Sequence, residues 1–96
     1  MIVKEISINS KNGLQSKMAA VFIQKASNYK SRIWIEKNER KANAKSLLGL
    51  LSLSISDGMK VSLMIDGEDE KKAVDDLEKF LTAGYAEDSD SSHAIG

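Results

Sequence analysis

The 96-residue chain contains no cysteine, and its only histidine, His93, lies close to its end. Disulfides, thiolate nucleophiles and cysteine-ligated metals are therefore excluded. With no second histidine there is no histidine pair, no Ser-His arrangement and no metal-ligand cluster before the last dozen residues. No Walker-type glycine loop is present. The carboxylates on the last helix, read as Asp69 to Ala83, are most simply a solvated face. Catalysis has no visible machinery, so no enzyme activity, metal or cofactor is expected. No apolar run approaches the roughly 20 residues a membrane helix needs, and the first residues do not read as a secretory signal. A cytoplasmic protein with no membrane contact is the expectation.

Net charge is also lacking: 14 basic and 14 acidic side chains cancel. The balance hides a division. Residues 11–45 hold nine basic side chains against Glu36 and Glu39, and residues 66–78 hold seven acids against Lys71 and Lys72. A solvated, scattered surface would explain this. So would a basic side that steers an acidic or phosphorylated partner. Aromatics make up only 5% of the chain and do not interleave with the basic residues, which argues against direct nucleic-acid binding.

What is present is a clear order of elements. Ile2 to Asn9 reads as a strand, and Lys11-Asn12-Gly13 as a turn. Ser16 to Asn28 reads as a helix with Ala19, Phe22, Ile23 and Ala26 on one stripe. Arg32 to Lys37 is a strand with Ile33 and Ile35 inward, turning at Asn38-Glu39 into a short strand at Arg40 to Ala42. A leucine-rich helix starts at Leu47, and Asp57-Gly58 marks the next turn. Lys60 to Asp66 alternates, with Val61, Leu63 and Ile65 inward. Asp69 to Ala83 is an amphipathic helix whose apolar face is Ala73, Val74, Leu77, Phe80 and Leu81, stopped by Gly84. The order β-α-β-β-α-β-α predicts an α+β open-faced sandwich, with helices on one face of a mostly antiparallel sheet. Trp34, Ser62, Met64 and Asp66 fall on the other face. Residues 1–84 form one domain; residues 85–96 are an acidic, serine-rich tail expected to be disordered.

The most informative segment is Asn43-Ala44-Lys45-Ser46-Leu47-Leu48-Gly49-Leu50-Leu51-Ser52-Leu53. Ser46 stands where a helix N-cap belongs, its hydroxyl able to accept an unpaired N–H of the first turn. An ordinary cap on a buried helix is the plain reading. The sharper one is a modifiable hydroxyl, because a phosphate there would meet the positive end of the helix. Five leucines in seven residues exceed what one buried stripe needs, so some should be exposed. Leu50 and Leu53 suit the core, and Leu47, Leu48 and Leu51 suit a surface patch. A second segment, Gly13-Leu14-Gln15-Ser16-Lys17-Met18-Ala19-Ala20, places Gln15 at the mouth of the first helix, beside Lys17. That mouth suits an anion, yet a glutamine amide cannot hold a transferable phosphoryl group.

These two segments, with Gly67-Glu68-Asp69-Glu70 followed by Ala73, resemble the HPr family, the phosphocarrier proteins of the bacterial sugar phosphotransferase system. The resemblance runs from about Ile2 to Ala83. It implies the HPr-like fold: a four-stranded antiparallel sheet with three helices on one face. In the family a histidine that carries the phosphoryl group stands where this chain has Gln15. Glutamine there is similar to the regulatory HPr-like paralogues of Bacillus-type bacteria. By this resemblance Ser46 is phosphorylated by HPr kinase/phosphorylase. The product acts as corepressor for catabolite control protein A, a LacI-type transcription regulator in carbon catabolite repression. The implied partner-binding residues are Gln15, Lys17, Ala20, Lys45, Leu47, Leu48 and Leu51, with Lys45 flanking the phosphate. Lys17 and Met18 depart from the arginine and proline usual in the family. Lys17 keeps the charge but loses the two-point fork, and Met18 offers a flexible apolar surface. A constitutive HPr-like binding module acting without modification and a residual phosphotransferase component stay open as alternatives. The oligomeric expectation is a monomer or a weak dimer.

Overall fold

Alternation in residues 60–66 sets the architecture. Val61, Leu63 and Ile65 are buried, while Ser62 and Met64 between them are half-buried on the opposite face. The computed structural model describes residues 1–9 and 16–83. Within them the elements are β1 (Ile2–Ser7), α1 (Ser16–Ala26), β2 (Arg32–Lys37), β3 (Arg40–Asn43), α2 (Leu47–Ser52), β4 (Lys60–Asp66) and α3 (Glu70–Ala83). The strands form one antiparallel sheet in the order β1-β4-β2-β3. Ile65 is paired with Ile2 on one side and Ile33 on the other, and Leu63 faces Ile35 across β2. The inward side chains thus line up across the strands and meet Phe22, Leu50, Leu77 and Leu81 from the three helices in one core. The open-faced α+β sandwich is as expected. So is the other sheet face, where Trp34 is paired with Met64 and Lys41 lies 5.3 Å above the indole ring.

Besides end shifts in β1 (Ser7, not Asn9), β3 (Asn43, not Ala42) and α3 (from Glu70, not Asp69), three details differ from the sequence reading. First, α1 ends at Ala26 rather than Asn28, because the chain tightens into turns: Asn28 N–H donates to Lys25 O and Tyr29 N–H to Ala26 O, both at 3.1 Å. Second, Met18 is not a surface residue. It lies four residues before Phe22 and eight before Ala26, on the stripe that packs inward, and is buried. Third, Ile23 is only partly buried beside that stripe. The turn at residues 11–13, Gln15, the helix stop at Gly84 and the tail from residue 85 lie outside the described residues. The hairpin turn at Asn38-Glu39 is as read: both residues have positive φ, 50° and 69°, as a two-residue turn matched to strand twist requires. Among the described residues no helix is long and apolar enough to cross a membrane.

The connection from α1 to β2 is anchored on α3. The Asp69 carboxylate accepts from Lys30 N–H at 2.8 Å, from Ser31 N–H at 3.0 Å and from the Ser31 hydroxyl. Tyr29 donates its hydroxyl to Asp76 at 2.7 Å; that bond, helped by burial, pushes its pKa up to about 12. The Ser31 hydroxyl foremost, then the Lys30 N–H, hold the Asp69 carboxyl below its ordinary value of 3.8. A carboxylate with a depressed folded-state pKa stabilises the fold above its unfolded value, and the contribution fades as pH falls through the folded one. Thermal midpoints of Asp69→Asn and the parent should differ most above about pH 5 and converge in acid. A constant gap down through the acid range would contradict this role.

Candidate functional site

The site is the start of α2. Ser46 has extended φ and ψ of −114° and 118°, so it stands outside the helix while its carbonyl accepts from Leu50 N–H at 3.0 Å. Its Oγ accepts from Gly49 N–H at 3.2 Å. This is the N-cap that the sequence indicates. The turn before it is closed by Asn43, whose side-chain oxygen accepts from Lys45 N–H at 2.8 Å and whose backbone oxygen accepts from Ser46 N–H at 3.0 Å. Gly49 matters for space: a Cβ there would sit 3.3 Å from both Ser46 Oγ and the Ala42 side chain, crowding the hydroxyl. At the other end of α2, Lys37 donates its ammonium to Leu53 O at 2.7 Å and Ser54 O at 3.0 Å, satisfying carbonyls the helix leaves over. Ser46→Ala should lower unfolding free energy by about 0.5–2 kcal/mol. Urea denaturation measures this, and an unchanged midpoint would mean the cap contributes nothing.

The leucines divide as their number suggests. Leu50 is fully buried and Leu53 nearly so, whereas Leu47 is 46% exposed, Leu48 81% and Leu51 39%. Three apolar side chains in solvent therefore follow directly on a half-buried hydroxyl. Lys17 and Ala20 are exposed on α1, the helix against which α2 packs. Lys45 does not stand over Ser46 as a flanking charge. Its ammonium turns instead onto Tyr29 O at 2.8 Å and Ser31 O at 3.0 Å, two carbonyls at the end of the α1–β2 turn, in charge-assisted bonds. Gln15 lies outside the described residues, so its relation to this surface is not part of the geometry.

Sequence reasoning missed Asn43, Lys37 and the engaged state of Lys45. Asn43 carried a local signal, since Asn two residues before a backbone N–H forms such turns. Lys37 and Lys45 carried none, their partners being 14 to 17 residues distant in the chain. Among the described residues no group of His, Cys, Asp or Glu is placed to hold a metal ion. The site offers one acceptor hydroxyl, fixed by its backbone, and an apolar surface beside it.

The family model described as "PTS HPr component phosphorylation site" matches residues 2–83. The HPr-like protein Crh of Halalkalibacterium halodurans is 42% identical over 81 residues, 84% of this chain and 96% of that protein. The crystal structure of HPr-C-His from Thermoanaerobacter tengcongensis superimposes with a TM-score of 0.82 at 42% identity, covering 84% of this chain and 91% of that one. The crystal structure of Bacillus subtilis Crh, a catabolite repression protein seen as a domain-swapped dimer, gives a TM-score of 0.68 at 40% identity, covering 84% and 93%. The match spans every element of the sheet and all three helices, the capped leucine helix among them, and on that ground the chain belongs to the HPr family.

Proposed function

We propose that this protein is a non-catalytic regulator of carbon catabolite repression. HPr kinase/phosphorylase phosphorylates it on Ser46, and the phosphorylated form binds a LacI-type transcription regulator of the catabolite control protein A kind as corepressor. One observation carries the proposal: the Ser46 hydroxyl at the start of α2 is followed at once by the exposed Leu47, Leu48 and Leu51. The likeness to Crh proteins supports it. So does Gln15, which stands where the family's carrier histidine is expected and whose amide cannot accept and pass on a phosphoryl group. In the transfer, Ser46 Oγ attacks the γ-phosphorus of ATP. The new Oγ–P bond replaces the bond to the β–γ bridging oxygen, ADP leaves, and the hydroxyl proton goes to a base of the kinase.

The modification needs no change of fold. It adds about −1.5 to −2 charges at neutral pH and strong acceptor oxygens, at an end of α2 that presents N–H groups rather than carbonyls. The regulator reads this dianion together with the leucine patch, and Lys17 and Ala20 form the adjoining surface on the side of α1. The protein works in the cytoplasm, as a monomer or as a dimer of the kind seen for Bacillus subtilis Crh. The test is a titration of the regulator with phosphorylated and unmodified protein. Tight binding of the phosphorylated form alone is expected. Equal binding of both would instead make the leucine patch a constitutive docking surface. Uptake of phosphate from phosphoenolpyruvate through enzyme I would make the chain a carrier.

A further inference from the structure

We infer that Lys45 is a positioning residue for Ser46, fixing the acceptor hydroxyl through the turn at residues 29–31. This rests on the proposed phosphorylation of Ser46. The six residues of α2 are too few to hold a helix in place by their own hydrogen bonds. The position of its cap therefore depends on tethers to the rest of the fold. Two are present. Asn43 ties the Lys45 and Ser46 amides to the end of β3. The Lys45 ammonium, 2.8 Å from Tyr29 O and 3.0 Å from Ser31 O, ties the residue before the cap to the entrance of β2. That entrance is itself immobilised from the opposite side. Asp69 accepts from the Lys30 and Ser31 amides, and Tyr29 is bonded to Asp76, so both grips come from α3 and its start. The charge on Lys45 is thus spent inside the protein, in bonds stronger than neutral ones, rather than presented to a partner.

Phosphoryl transfer needs the hydroxyl oxygen in line with the γ-phosphorus, and small misplacements of a reacting atom cost rate steeply. Loosening residues 45–46 disturbs that alignment and removes none of the exposed leucines of α2. The loss should therefore fall on kcat and spare KM.

The experiment is steady-state phosphorylation by HPr kinase/phosphorylase and ATP of Lys45→Met, Lys45→Arg and Asp69→Asn, at a temperature where circular dichroism shows each to be folded. Lys45→Met should lose at least about tenfold in kcat with KM held within about twofold. Lys45→Arg, which can still donate to both carbonyls, should recover most of the loss. Asp69→Asn, which frees the same turn from its far side, should lower kcat in the same direction. An unchanged kcat in Lys45→Met, or a rise in KM alone, overturns the inference; the latter would make Lys45 a kinase contact. A second readout needs no kinase. The Gly49 amide is bonded to Ser46 Oγ, so its hydrogen exchange should speed up in Lys45→Met and Asp69→Asn and hold in Lys45→Arg. If exchange behaves so while the parent accepts no phosphate, the positioning stands and the phosphorylation reading fails. Unchanged exchange overturns the positioning whatever the kinase does.

Discussion

Leu48→Glu is expected to leave the fold intact and to weaken binding of the phosphorylated protein to its regulator roughly 30-fold. The side chain is 81% exposed, so the core loses nothing when it is replaced. In the proposed complex the same side chain would be an apolar anchor two residues from the phosphate. Glutamate there removes the apolar contact, buries a carboxylate without a partner and adds a like charge beside the dianion. Calorimetric titration of already phosphorylated protein isolates this from any effect on the kinase, and a thermal melt confirms that stability is untouched. Leu48→Ala, which only removes contact, should lose less. Undiminished binding by Leu48→Glu would remove the leucine patch from the interface.

Gly67→Ala is the second large effect, and it falls on stability. Gly67 closes β4 with φ at +158°, a conformation that side chains rarely adopt, and its backbone lies directly against Ser31. A Cβ at this position would come within 2.6 Å of Ser31 Cα and 2.8 Å of Ser31 Cβ. Backbone atoms cannot rotate aside as a flexible side chain can, so either the turn at residues 29–31 or the start of α3 must move. Either shift breaks the Asp69 grip on Lys30 and Ser31. Overpacking of this kind costs about 3 kcal/mol, a large part of the total stability of a small domain. The thermal midpoint should fall by about 10–20 °C. A midpoint within experimental error of the parent would show that the approach of Gly67 to Ser31 is not needed. Because Ser31 also accepts from Lys45, this substitution should disturb the Ser46 cap as well.

The fold was legible where its information is local and periodic. The alternation of Val61, Leu63 and Ile65 and the stripe of Ala73, Val74, Leu77, Phe80 and Leu81 specify which faces are buried, and all eight are. The N-cap was legible because a serine and the amide it accepts lie three residues apart. The exposed leucines were legible by surplus: one short helix cannot bury five. Met18 is buried although it stands near the mouth of α1, because its four-residue spacing from Phe22 puts it on the inward stripe. The long-range polar bonds had no sequence signal. Lys45 on Tyr29 and Ser31, Lys37 on Leu53, and Asp69 on Lys30 and Ser31 join residues that only the folded sheet brings together. The contact of Gly67 with Ser31 is of the same kind. A glycine before a helix announces a turn, not the neighbour that forbids a side chain.

In the proposed function the Ser46 hydroxyl, held at the start of α2, is where this protein acquires its signal. Intact mass after incubation with HPr kinase/phosphorylase and ATP, with the modified residue mapped by fragmentation, tests it most directly. A single added phosphate on Ser46 and none on Ser46→Ala is the expected result. No uptake by the parent, or uptake that survives in Ser46→Ala, would contradict it.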